Sequence, residues 1–260
     1  MANATFNAGI DYFGLETATS NALKVTSSNE NRSKQSTSGS NSYGDAAVVD
    51  SWGETAAPSA EYQVVAALTQ ATFPDLGSLI AADAAGIENP VVIGSVSIST
   101  QNGSAPTVSV SGQMVQSGAA QLREYTLPAY SLSPRHRAQD FLLVSSAPIM
   151  SIKKGANAAS EITDYGLESV SASFPIEFSL AQPKGTLMAY DIHGGTATVD
   201  YTLNWYASTA PTIALTSAAE TAGFTMSNPV GKSCPEGGYT QYTWQVSLPM
   251  TGIEHVANNG

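Results

Sequence analysis

This chain reads as mainly β: an antiparallel β-sandwich or barrel with one short helix. Three features lead there. Several runs alternate apolar and polar residues with period two, the mark of a strand with one buried face. An Asn102-Gly103 pair stands between two such runs, the strongest short-range signal of a hairpin. One stretch alone has helical spacing. Roughly ten strands and one helix bury their apolar faces by packing sheet on sheet or by closing a sheet on itself.

Along the chain, residues 22–26 form a first short strand. Residues 27–44 (SSNENRSKQSTSGSNSYG) are polar and of low complexity, and read as a long loop. Such a loop either packs along its own domain or reaches onto a neighbouring subunit. Further short strands are predicted at 46–52 and 62–68. Residues 75–85 (DLGSLIAADAA) are the helix candidate, with Asp75 as a cap and Leu76, Leu79, Ile80 and Ala84 on one side. Val92, Val96 and Ile98 then alternate with polar residues, QNGSAP at 101–106 turns the chain, and Val108, Val110 and Met114 alternate back. A short strand is predicted at 141–145.

The clearest element is 169–180 (SVSASFPIEFSL). Val170, Ala172, Phe174, Ile176, Phe178 and Leu180 point one way, against serines and Glu177. Pro175 has no N–H to give a ladder, so it predicts an edge strand or a bulge. Residues 191–195 (DIHGG) read as a turn. Residues 196–206 follow with Ala197, Val199, Tyr201, Leu203 and Trp205 inward and Asp200 on the wet side. After a short strand at 212–215, residues 239–248 turn Tyr242, Trp244, Val246 and Leu248 inward. The predicted core therefore includes Phe174, Ile176, Phe178, Val199, Leu203, Trp205, Trp244 and Val246. The whole chain of 260 residues suits one β-rich domain, with a possible division near 120–165.

Composition narrows the setting. Charged residues make up 12% of the chain, about half of the ~25% usual in soluble proteins. Ser, Thr, Gly, Ala and Asn replace them, a balance common in secreted β proteins, cell-surface proteins and virus particles. The net charge is −11, which disfavours a groove for nucleic acid and attraction to anionic lipid. The single cysteine, Cys234, makes no intramolecular disulfide. The first 21 residues lack the basic and apolar regions of a signal peptide. No run reaches the ~18 apolar residues of a membrane helix. An extracellular kind of surface on a protein made in the cytoplasm is resolved by a virion protein, assembled inside a cell and used outside.

The chemistry of sites is sparse. His136, His193 and His255 are too far apart in sequence for a paired metal motif, and one cysteine makes no CxxC. There is no GxSxG elbow, P-loop or GxGxxG. Catalytic, cofactor and metal residues are therefore predicted to be none. The local basic cluster SPRHR carries Arg135 and Arg137 beside Pro134; it is either a solvated loop or a contact whose guanidinium forks pair with carboxylates on an acidic neighbour. Lys153 and Lys154 offer the same. Arg32 and Lys34 are the cations of the polar segment and are candidate subunit contacts with Arg135 and Arg137. Trp52, in DSWGET, is either core or, in an adhesin, a sugar-stacking ring.

With MANATFNAGI at the start, Ser/Thr-rich alternating strands, the polar insertion at 27–44 and one short helix, the chain resembles the structural proteins of tailed bacteriophages. In outline it is most similar to tail tube proteins. The resemblance implies a β-sandwich or barrel with a flanking helix, a loop that contacts the next ring, and rings stacked into a conduit for the genome. Its partners would be copies of itself and other virion proteins. Glu177 and Asp200 would then be lumen-facing, so that six copies make a band of charge that DNA does not stick to. A head decoration, neck or fibre protein, or a glycan- or receptor-binding adhesin module, is the alternative.

Overall fold

The computed structural model describes residues 9–40, 43, 46–69, 73, 75–80, 89–116, 124, 125, 127, 131–135, 150–153, 167–181, 191–207, 212–215, 225–226, 230–233 and 240–249. A short helix α1 (Leu15–Ala18) leads into the long strands β1 (Leu23–Ser40) and β2 (Ala46–Val64). There follow β3 (Leu68–Thr69), β4 (Leu79–Ile80), β5 (Val91–Gln101), β6 (Thr107–Met114), β7 (Ser131–Leu132) and β8 (Met150–Lys153). The second half holds β9 (Leu167–Ala181), β10 (Asp191–Ala207), β11 (Thr212–Leu215), β12 (Thr225–Met226), β13 (Val230–Ser233) and β14 (Thr240–Pro249).

The period-two runs pair side by side into one open antiparallel sheet, in the order β1-β2-β6-β5-β9-β10-β14-β12. Strand β4 joins it on β5 and β13 joins it on β14, and β3 with β7 and β8 with β11 form two small two-stranded sheets. The hairpin predicted around Asn102-Gly103 is β5–β6, with Ser99 opposite Thr107 and Gly103 at a φ of 86° that favours glycine.

Alternation puts one face of the sheet in the core. Tyr62 and Val64 of β2, Val96 and Ile98 of β5, Val108 and Val110 of β6, Phe174 and Ile176 of β9, and Val199 and Leu203 of β10 are buried together. Their cover is short: Phe13 and Leu15 from the N-terminal side, Leu68 of β3, Leu76, Tyr125, Leu127 and Leu132 of β7. Burial of each large side chain contributes about 1.5–3 kcal/mol. Phe178 is half-buried and packs against the core, while the side chains of Trp205, Trp244 and Val246 lie outside the described residues. Gly112 allows the cover to settle, since a Cβ there would stand 2.6 Å from the Val92 carbonyl oxygen and 3.1 Å from the Phe13 ring.

Three expectations are corrected and one is narrowed. No helix begins at Asp75. Leu76 exchanges backbone hydrogen bonds with Tyr125, Gly77 has a φ of 79°, and Leu79 and Ile80 pair with Val92 and Val91 as β4. A left-handed glycine within the first turn ends helical propagation, and a waiting strand edge takes the apolar residues instead. Residues 81–85 lie outside the described residues, and the helix among the described residues is α1, which sequence patterning missed. The polar stretch at 27–44 is not a loop: residues 27–40 are strand, in register with β2 to Ser40↔Ala46. The DIHGG stretch is no turn either, because 191–194 continue β10 against β9, from Asp191↔Ala181 to Gly194↔Phe178. Of the two readings for Pro175, the edge is excluded, because the residue lies in a central strand between β5 and β10, while a register shift does fall beside it, between Gly194↔Phe178 and Ala197↔Ile176. It is tolerated there because the β5 ladder ends at Ser95↔Pro175, beside an irregularity between Ile93 and Ser95.

The strands at 46–52 and 212–215 are present within β2 and β11, and that at 22–26 is present from Leu23 on, within β1. The 62–68 run is split between the end of β2 and the start of β3. The predicted strand at 141–145 and much of the 120–165 stretch lie outside the described residues.

Two buried phenols tie this fold to pH. Tyr62 is fully buried and its Oη donates to Asp11 Oδ1 at 2.6 Å. Burial first, and then that hydrogen bond, hold its pKa far above the usual 10.0. Tyr201 is pushed up to about 12 by burial. The unfolded chain therefore loses these protons first as pH rises. Stability is unaffected by them below about pH 10 and falls above it, by about 1.4 kcal/mol per pH unit per tyrosine, until the folded group itself ionises. Denaturant unfolding between about pH 10 and about pH 12 should show that slope. Tyr201→Phe should remove about half of it; an unchanged slope would mean that the Tyr201 phenol ionises as freely in the folded protein as in the unfolded one.

Candidate assembly surface

The face of the sheet opposite the core is laid out by the same alternation. Residues paired across strands share a face, so the registers define rows. One row crosses eight strands as Ser27, Glu61, Ser109, Ser97, Ser173, Asp200, Ser247 and Thr225. Beside it run Lys24, Gln63, Thr107, Ser99, Ser171, Thr202 and Gln245. On the other side lie Asn29, Ser59, Ser111, Ser95 and Pro175. Over the six positions whose side chains are described, from Ser27 to Asp200, the central row is hydroxyl at four and carboxylate at two.

Cross-strand hydrogen bonds hold this face flat to its backbone. Ser95 Oγ and Ser111 Oγ lie 2.7 Å apart, Thr243 Oγ1 donates to Asn204 Oδ1 at 2.7 Å, and Asn204 Nδ2 donates to Ser169 Oγ at 3.1 Å. Near β1 the face dips into a trough of about 370 Å³ lined by Ser27, Asn29, Ser59, Ser97, Ser109 and Ser111 among others. Glu61 stands in it with an exposed carboxylate. The chemistry available at the centre of the face is that of short neutral hydroxyls, wet and acidic at Glu61 and Asp200, with the longer Lys24, Gln63 and Gln245 side chains toward its ends.

The predicted lumen residues both fall on this face. Asp200 is in the central row and Glu177 is exposed, four residues along β9 from Ser173 and so on the same side. Thr198 Oγ1 donates to Asp200 Oδ2 at 3.3 Å. Sequence patterning misses Glu61, because it predicts the strand only from residue 62 and the pairing with Ser109 depends on the register.

The second feature is an arm. Strand β2 pairs with β6 over Ser59 to Gln63 and not beyond, whereas its pairing with β1 continues to Ala46. The body holds the base of the arm at Ala56, which is fully buried and whose carbonyl accepts the Gln113 Nε2 amide at 2.9 Å. Past Arg32↔Ala56, residues 33–40 and 46–55 run on as a ribbon of two strands, about 25 Å at ~3.3 Å per residue. Register shifts fall at Ser33/Gln35 and Thr37/Ser38, bulges that twist a ribbon. Tyr43, in the turn at the tip, is 90% exposed.

The predicted cations are divided by the structure. Arg32 is exposed at the base of the arm and ion-paired to Glu30 through its Nε. Lys34 lies on the arm at a register shift, with its side chain outside the described residues. Arg135 is exposed in a turn after β7. Arg137, Lys154 and the side chains of Lys153, His193 and Trp52 lie outside the described residues. Among the described residues there is no group of three or more metal-ligating side chains and no helix long and apolar enough to cross a membrane. No protein-family model and no curated protein matches this chain.

Proposed function

We propose that this protein is a self-assembling structural subunit of a virus particle, most like a phage tail tube protein that forms stacked rings. The observation that carries the reading is the arm: a ribbon of two strands runs on for about 25 Å past the last pairing that, among the described residues, β2 makes with β6. An isolated two-stranded ribbon is marginal in water, so a docking place on a neighbouring subunit gives it a reason to persist. The open face supports the same reading. Its hydroxyl rows with Glu61, Asp200 and Glu177 suit the wall of a channel through which a polyanion passes, since like charge within a screening length of ~8 Å opposes adhesion. The net charge of −11 agrees in sign.

Negative-stain microscopy and native mass measurement on the purified protein test this. Rings or tubes are the expected result. A monomer at every concentration would overturn the self-assembly reading. A compact trimer would replace the tube with a fibre-like assembly.

A further inference from the structure

The unpaired edge of a sheet, with outward N–H and C=O groups, is a template for another chain. One end of this sheet is closed by strands: β12 lies across Val246 and Ser247 of β14, and β13 lies across residues 240–243. At the other end, among the described residues, no strand flanks the start of β1 on its outer side. The residues just before it do something else there. Glu16 Oε1 accepts the Val25 backbone N–H at 2.8 Å, and Glu16 Oε2 lies 3.4 Å from Lys24 Nζ. Thr26 is then the extra residue of a bulge, between Val25↔Tyr62 and Ser27↔Glu61. Next, the Ile10 N–H donates to Ser28 Oγ at 2.7 Å. Gly9 passes so near that a Cβ on it would stand 2.9 Å from the Ser28 backbone nitrogen and 2.9 Å from Val25 Cγ1. Asp11 fastens this segment to the core, accepting Tyr62 Oη, the Leu15 N–H at 3.1 Å and the Glu16 N–H at 2.9 Å.

We propose that residues 9–16 are an edge guard, which stops the body end of β1 from accepting the same strand of a second copy of this chain. A carboxylate occupies an outward donor, a bulge breaks the ladder spacing, and a crossing segment covers the next step. Each is a known way of blunting an edge, and here the three fall within Val25–Ser28. The occupant kept out is a second copy because the edge is self-complementary. Antiparallel pairing about Thr26 would set Lys24 opposite Ser28, so no like charges face each other. The guard covers Val25–Ser28 and does not extend along β1 beyond Ser28. It does not depend on the protein being part of a virion.

The test uses full-length protein with Cys234→Ser and Thr26→Cys, so that the one thiol sits at the centre of the guarded edge. Under mild oxidation the guarded protein should stay uncrosslinked at this site, and Glu16→Gln, which keeps an acceptor for Val25, should behave alike. Glu16→Ala should raise the disulfide-linked dimer by about tenfold, the factor expected from losing one charge-assisted hydrogen bond, and Gly9→Val, whose side chain would clash with Ser28 and Val25, should separately raise it too. Circular dichroism confirms that each variant is folded. Folded variants that crosslink no more than the guarded protein would overturn the proposal. A measurement on the unaltered protein decides independently of the variants: the Val25 amide should exchange with solvent slowly, and exchange at the rate of an open strand edge would also overturn it.

Discussion

Removing residues 33–55 and joining Arg32 to Ala56 through Asn-Gly should leave a folded body that no longer assembles. Arg32 and Ala56 are direct cross-strand partners, so a two-residue turn closes the shortened hairpin without changing register. The residues that hold the root stay in place: the buried Ala56, the Gln113 amide on its carbonyl and the Ser59–Gln63 ladder with β6. Thermal unfolding should therefore move by only a few degrees, a shift of about 1 kcal/mol or less. Native mass should fall from the assembly to the monomer. Rings that still form without the arm would remove it from the assembly contact and leave the sheet faces to carry it.

Phe174→Ala should be the most damaging single truncation in the sheet. Phe174 is 1% exposed, opposes Val96 and sits on β9, which is paired on both sides by β5 and β10. A central strand cannot shift to close the void without disturbing two ladders. The expected loss is therefore about 3–5 kcal/mol, the range of large-to-small changes that leave a cavity. Ser173→Ala, one residue away on the open face, should change stability by about 0.5 kcal/mol or less. Midpoints of urea unfolding at constant slope check both. Equal small shifts would mean that the two faces of β9 do not differ in burial, which the packing excludes.

The two faces of β9 were legible because its alternation is strict: Val170 to Ile176 are buried at every second position, as period two requires. The β5–β6 hairpin was legible through Asn102-Gly103, whose chemistry is local. What failed was what depends on partners. Residues 27–40 carry almost no apolar signal, and they become strand only because 46–64 lies opposite. The available hint was the cluster of turn-formers at 41–45 between two stretches of similar length. Leu79 and Ile80 fit a helix by spacing until β5 supplies an edge and Gly77 turns the chain. Of the open face, Asp200 and Glu177 were readable from their strands. Glu61 and the rows of serine were not, since register is a property of pairs of strands.

The guard on β1 also has an order in time. Glu16 is nine residues ahead of Val25 in the chain, so during synthesis the blocking carboxylate is made before the edge that it blocks. The cap is local enough to close as soon as β1 begins to form. The fastening of Asp11 by Tyr62 spans 51 residues and waits for the end of β2. A nascent chain is thus protected first by a short-range contact and only later by a long-range one. The vulnerable interval, in which sticky strand edges of neighbouring chains on one message could join, is shortened by sequence order itself.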